Sequence, residues 1–351
     1  MPPAVTYWTG VWAPGHEALS KQVADLRQAC RPRSVVVSFS AGQRSSLLPR
    51  NRVVRLSGRR HWTLRALAAA IEPRGDVTHA IGSIGSWHFL RALGRRPMVL
   101  TLALPGAPLE PALYDRVRIF AAETRRLAAD AHAAGVPRER VHVIHPGVDL
   151  ARFHPQPAPL PRPFRVLFAS TPASAGEFEV RGIPLLVEVA RQLPDVEFLL
   201  PWRKWSGPSD SEAALAQLGA PANFRIAAGN HADMAGLYAS VHATICLFAS
   251  GFGKSCPNSV MEGLGCGRPA IVTATCGIAD LIADAGAGVV APRAANDVAA
   301  AIETLRATWT AASRRARALA ERSFNQQHTH ARYAELYQAL AAANNPLEQP
   351  S

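Results

Sequence analysis

The sequence predicts an α/β protein made of two doubly wound, Rossmann-like domains. Three observations carry that prediction. Short apolar runs alternate with helix-period segments over residues 1–150, a proline run interrupts the pattern, and the same alternation then starts again. Strands alternating with helices give a mostly parallel sheet covered on both faces. Two such domains are expected to face each other across a cleft, with ligands beyond the carboxyl ends of the strands.

In the first half, strands are expected at Val5–Trp8, Ser34–Phe39, Arg52–Leu56, Val77–Ile81, Met98–Leu102, Val117–Phe120 and Val141–Ile144. The helix expected over Glu17–Cys30 puts Ala18, Leu19, Val23 and Leu26 on one face. His61–Ile71 is helical and stops before Pro73, Trp87–Leu93 is a short helix, and Glu123–Ala134 is closed by Gly135. Residues 155–163, PQPAPLPRP, hold five prolines and read as a stiff linker, because proline cannot donate to a sheet ladder. In the second half, strands are expected at Phe164–Ala169, Val196–Leu200, Phe224–Ala227, Ala243–Phe248, Ala270–Thr273 and Val289–Val290. Helices are expected at Ile183–Gln192, Ser211–Leu218, Asp233–Ser240, Val260–Gly265 and Ile278–Ala285, then at 295–307, 309–323 and 328–343. The expected domains are 1–154, the linker 155–163, a second domain 164–325, and a C-terminal helix over 326–351 that crosses back to the first domain.

With 351 residues, 48% of them hydrophobic, the chain can fill two cores. Its net charge is +12, and residues 1–150 hold 21 Lys/Arg against 10 Asp/Glu. Such a face attracts phosphates, anionic lipid or nucleic acid; a solvated arginine surface is the plainer reading. No RNA-binding aromatic motif is present, so nucleic acid is not an expected partner. Cys30, Cys246, Cys256, Cys266 and Cys276 form no CxxC pair, which argues against a zinc site and for free thiols in a reducing cytosol. MPPAVTYWTG has neither a basic region nor a long apolar stretch, so no signal peptide is expected. On fold alone the chain fits a glycosyltransferase, a sugar-nucleotide epimerase or a periplasmic binding protein, and the missing export signal weighs against the last.

The most informative stretch is KSCPNSVMEGLGCGRP, from Lys254 to Pro269, followed by the apolar run AIVT. It reads as loop, helix, strand, a unit that sets one carboxylate, Glu262, and several backbone N–H groups beside a phosphorylated sugar. Asn258 is an N-cap candidate. Ser259 and Val260 open the helix, where free amides and the helix dipole favour an anion.

Four blocks in order resemble the retaining family-4 glycosyltransferases: VHVIHPGVDLARFHP, RGIPLLVEVARQLPDVEFLLP, NFRIAAG-NHADMAGLYASVHATICLF and CPNSVMEGLGCGRPAIVTATCGIADLIADAGAGVVAP. The resemblance covers about residues 76–290 and implies the GT-B fold. It implies that Glu262 hydrogen-bonds the ribose hydroxyls of a donor nucleotide; a carboxylate offers a diol two acceptor oxygens. The amides of Asn258, Ser259 and Val260 are then diphosphate contacts. Arg181 and Gly182 stand at the family's Lys-Gly pair, where arginine keeps the phosphate-holding charge. Ser170, Thr171 and Pro172 replace the family's other phosphate arginine, with Arg203 as the compensating candidate. Lys254 stands where the family has its first glutamate. Gly277, Ile278 and Asp280 match a glycine-rich turn near the donor sugar, although Asp280 serves equally well as a helix-start carboxylate. Gly15 and His16 match the first Gly-rich loop. DVTHAIGS places His79 near a strand's carboxyl end, followed by Gly82 and Ser83. The family's active-site histidine is absent, since Ala103 or Leu104 stands at its place; His79 or His16 is the expected substitute.

The implied reaction is retaining transfer of a hexose or N-acetylhexosamine from a UDP- or GDP-sugar to a carbohydrate, lipid-linked or small-molecule hydroxyl. No cofactor and no metal ion are expected. His79, Arg181, Lys254 and Glu262 form the expected catalytic set. A sugar-nucleotide 2-epimerase of the same fold, or an inactive sugar-nucleotide-binding relative, is the alternative. The stretch Arg50–Arg65, with six arginines beside Trp62 and Leu64, fits peripheral contact with an anionic bilayer. The expected location is the cytoplasm, with the inner face of the plasma membrane as a refinement.

Overall fold

The computed structural model describes residues 2–15, 17–30, 34–40, 44–48, 52–58, 61–157, 159–160, 162–172, 174–202, 211–228, 233–249 and 254–343. His16 and Arg203 lie outside the described residues, as do Arg50, Arg59 and Arg60. The chain divides into one unit of Met1–Gly147 with Gln327–Ser351, and another of Val148–Gln326. Residues 155–163 therefore fall within the second unit.

In the first unit the strands are β1 (Val5–Thr9), β2 (Val35–Ser40), β3 (Ser46–Leu48), β4 (Val53–Ser57), β5 (Val77–Gly82), β6 (Met98–Leu102), β7 (Val117–Ala122) and β8 (Val141–Val143). Its helices are α1 (Ala18–Cys30), α2 (His61–Ile71), α3 (Trp87–Ala92) and α4 (Arg125–Ala133). Among the described residues the sheet runs β3-β4-β2-β1-β5-β6-β7-β8, parallel except where β3 pairs with β4. The apolar runs supply both faces by alternation. Trp8, Val37 and Leu100 join one core with α2 and α3, while their neighbours Tyr7, Val36 and Val99 join another.

The second unit holds β9 (Phe164–Leu167), β10 (Val196–Trp202), β11 (Phe224–Ala228), β12 (Ala243–Cys246), β13 (Ala270–Thr273) and β14 (Gly288–Ala291). Its helices are α5 (Phe178–Arg181), α6 (Ile183–Gln192), α7 (Ser211–Gln217), α8 (Met234–Ala239), α9 (Asn258–Gly265), α10 (Ala279–Ala285) and α11 (Ala295–Ser323). The parallel sheet runs β11-β10-β9-β12-β13-β14. Val166 and Phe198 pack on α6, and Leu167 and Val272 on α9.

A last helix, α12 (Gln326–Ala343), lays Tyr333 and Tyr337 into the first unit's core. No helix among the described residues is long and apolar enough to cross a membrane.

Several expectations need correction. The segments 295–307 and 309–323 are one helix of 29 residues. Thr304 and Thr308 return their hydroxyls to the carbonyls of Ala300 and Thr304, so the residues that looked like a break are satisfied inside the helix. α9 begins at Asn258, two residues early, and Pro257 rather than Asn258 is its N-cap. Strand β3 and helix α5 were not expected; each is too short to show a period.

Candidate functional site

A doubly wound sheet binds ligands where its strand order reverses. In the second unit that point lies between β9 and β12, because the chain runs from β9 outward to β11 and then returns to β12. The loop after β9 and the loop after β12 meet there.

Arg181 is fixed at this point. The turn between α5 and α6 needs Gly182 in the left-handed region, with φ 81°. A Cβ there would stand 2.7 Å from Leu247, just past β12. The Ala249 N–H donates to the Val180 carbonyl at 2.7 Å, tying α5 to the same loop. The Arg181 guanidinium donates from Nε to Glu177 at 2.8 Å and from Nη1 to Ser170 Oγ, and lies 5.9 Å from the Phe248 ring centre. Its Nη2 also meets the same Glu177 oxygen, Oε2, at 2.8 Å, so the carboxylate holds one edge of the fork. Arg181 thus ends α5 and bridges the loops after β9 and β12. Ser170 stands where the resemblance expects a second arginine.

α9 rises from the loop after β12. Ser255 accepts from the Gly277 N–H at 3.0 Å, so this loop is pinned to the turn before α10. Lys254 is half-buried at the loop's end, and Asn258 and Ser259 are half-buried in the first turn of α9. Val260 donates its amide to the Pro257 carbonyl at 3.1 Å; that N–H is engaged within the turn and not offered to a phosphate. Glu262, one turn on, is 8% exposed and accepts from the Tyr238 hydroxyl at 3.2 Å. Burial and the Glu262 charge hold the Tyr238 phenol well above its usual range, so it stays a donor. Arg268, itself buried, donates to the carbonyls of Tyr238 and Ala239 at 2.9 and 3.2 Å and fixes the end of α8. Asp280 is exposed in the first turn of α10, whose N-cap, Ile278, offers no side-chain bond.

Glu177 and Tyr238 were not singled out from the sequence, and Ser170 was named only as standing in a missing arginine's place. The Glu177–Arg181 spacing was a readable signal, since a glutamate four residues before an arginine is the favourable helical order.

In the first unit the strand order reverses between β1 and β5. Gly15, in the loop after β1, is exposed, and a Cβ there would meet nothing within 4 Å. Gly82 ends β5, and the Ser83 N–H donates to Ser86 Oγ at 2.9 Å. His79 is not at that edge. It is the third residue of β5, paired with Tyr7 and Val99, and fully buried. Its Nδ1 shares a hydrogen bond with Tyr337 Oη at 2.6 Å and its Nε2 with Thr101 Oγ1 at 2.7 Å. Burial pulls its pKa down to about 3, so the ring is neutral. The expected catalytic place is corrected: His79 anchors α12. Among the described residues no group of three or more His, Cys, Asp or Glu is placed to hold a metal ion.

Residues 173–308 match the family model for glycosyl transferases group 1. The matched residues lie within the second unit. No curated protein matches the chain by sequence. Solved structures share the fold of this chain over nearly its whole length. HepE from Anabaena, in complex with UDP and glucose, is 17% identical, covers 96% of this chain and 100% of its own, and has a TM-score of 0.74. Sucrose-phosphate synthase from Thermosynechococcus elongatus is 16% identical over 97% and 100%, with a TM-score of 0.76. A glycosyltransferase from Rickettsia africae is 16% identical over 96% and 98%, with a TM-score of 0.73. The two Rossmann-like units together have the GT-B fold.

Proposed function

We propose that the protein is a retaining glycosyltransferase that moves a hexose or N-acetylhexosamine from a UDP- or GDP-sugar to a hydroxyl acceptor. The observation that carries this is Arg181 bridging the loops after β9 and β12, at the switch point of a glycosyl transferases group 1 domain. A fixed guanidinium there meets the charge that grows on the diphosphate as the glycosidic bond breaks. Lys254 and the amides of Asn258 and Ser259 add donors on the same side. Glu262, aligned by Tyr238, takes the ribose hydroxyls; HepE, with UDP and glucose bound, supports a uridine nucleotide as the first donor to test. Gly15 keeps the loop after β1 open to ligand, and His79 is left out of the chemistry. The charge work falls to side chains and helix amides, so the reaction runs without a divalent ion. The acceptor is of carbohydrate, lipid-linked or small-molecule type, and the basic first unit makes peripheral contact with anionic membrane from the cytoplasmic side.

Incubation with UDP-, GDP- and ADP-sugars and a panel of hydroxyl acceptors tests the reading. Acceptor-dependent release of nucleotide, unchanged by a chelator, is expected. Interconversion of epimers without an acceptor would replace transfer with epimerisation.

A further inference from the structure

One ring cluster in the first unit is unused by the donor-side chemistry. α2 starts at His61 after β4, and α3 starts at Trp87 after β5, so both helix starts stand at the carboxyl edge of the sheet. β5 flanks the switch point, where an open α/β sheet takes its ligand. His61, Trp62 and Trp87 are all exposed there, Trp62 by 66% and Trp87 by 37%. The Trp87 and His61 ring centres are 4.6 Å apart at 57°. Phe39, 6% exposed, props His61 and His88 from beneath at 5.5 and 5.6 Å, and His88 meets Trp87 edge-on at 5.8 Å. The base is rigid. Gly85 donates to Ser83 Oγ at 3.2 Å, and a Cβ on Gly85 would stand 2.5 Å from the Ala107 carbonyl oxygen.

We propose that the Trp87–His61 ring pair is the acceptor subsite and takes the C–H face of a pyranose ring. This rests on the glycosyltransferase reading above. A pyranose has one face of C–H groups and a rim of hydroxyls. An indole face attracts the first, and imidazole nitrogens bond the second. Burial and His61 pull the His88 pKa down to about 4, so it stays neutral, with one donor and one acceptor nitrogen. The Arg91 guanidinium, 5.6 Å from the Trp87 ring centre, sits beside the ring pair and adds N–H donors for ring hydroxyls. The acceptor that this cluster of rings and donors fits is a glycoside.

The test uses saturation-transfer NMR with methyl β-D-glucopyranoside, methyl β-D-galactopyranoside and methyl α-D-mannopyranoside, so it does not depend on turnover. At least one glycoside should bind saturably. Trp87→Ala should weaken it about tenfold or more, and Trp87→Phe, which keeps a ring, by no more than about threefold. UDP affinity and melting temperature should be unchanged in both variants. Parent protein that binds none of the glycosides, or Trp87→Ala that binds them as well as the parent does, overturns the subsite. Loss of co-sedimentation with phosphatidylglycerol vesicles in Trp87→Ala would overturn it in favour of a bilayer contact. Glycoside binding without UDP binding would defeat the donor reading and leave the subsite standing.

Discussion

Arg181 shows how one side chain is held in a single orientation. Glu177 grips the fork from one side, Ser170 accepts from another nitrogen, and the side chain is 16% exposed. The pair with Glu177 is near the surface, so it adds only about 0–1 kcal/mol to stability. Its use is orientation. Arg181→Ala should therefore lower turnover at saturating donor by about 100-fold while the melting temperature holds. Arg181→Lys keeps the charge, loses the fork, and should fall between the two. Unchanged turnover in Arg181→Ala would remove it from the phosphate site. Histidines set a second residue-scale expectation. His79 is held near pKa 3, and His88 and His242 near 4, all chiefly by burial. Each folded value is depressed below about 6.5, so the unfolded chain binds more protons in acid. Their stabilisation is full above about pH 6.5 and drains away as pH falls toward 4 and 3. Between pH 6.5 and 5 the buried His79 alone accounts for about 2 kcal/mol. His79→Gln should be less stable at pH 7 yet show a shallower loss of melting temperature from pH 7 to 5. A slope as steep as the parent's would mean that His79 is not held neutral. Glu262 and Arg181 could be named as candidates from the sequence because their motif travels with them. The burial of His79 was not legible, because its partner Tyr337 is 258 residues away.

At the scale of elements, apolar alternation marked the sheet strands well, because parallel strands buried on both faces read as continuous apolar runs. Ser46–Leu48 escaped notice: Ser46 and Leu47 are exposed, and three residues carry no period. Helix starts were less legible. Pro257 closes the way into α9 with its carbonyl, while the side chain of Asn258 makes no cap. Where a helix ends depends on glycine. Gly182→Ala forces a Cβ into the left-handed region and to 2.7 Å from Leu247. The cost should be about 1–3 kcal/mol, read in a denaturant melt. Arg181 should move with the turn, so nucleotide affinity falls as well. Full stability in Gly182→Ala would show that the turn relaxes without consequence.

On the scale of the molecule, the sequence foretold two α/β units, and their extents differ from expectation at the joins. The first unit closes at Gly147 and regains the chain at Gln327, whereas the proline run belongs to the second. Prolines signal stiffness, not which core a segment packs on. The return of α12 is held by polar pairs, since Tyr333 meets Thr101 at 2.8 Å and Tyr337 meets His79 at 2.6 Å. Tyr337→Phe should lower the stability of the first unit by about 1 kcal/mol or more, because it leaves a buried His79 nitrogen without its bond. It should leave nucleotide binding by the second unit intact; a loss of both would mean that the units do not separate energetically. If the second unit grips a nucleoside diphosphate through Arg181 and Glu262, loss of either side chain weakens nucleotide binding. Calorimetric titration of UDP and GDP into the parent protein and Glu262→Gln tests that grip most directly. One nucleotide bound per chain, an affinity about 10- to 100-fold weaker in Glu262→Gln, and equal melting temperatures are expected. Equal affinity in the two proteins, or no binding of either nucleotide by the parent, would contradict it.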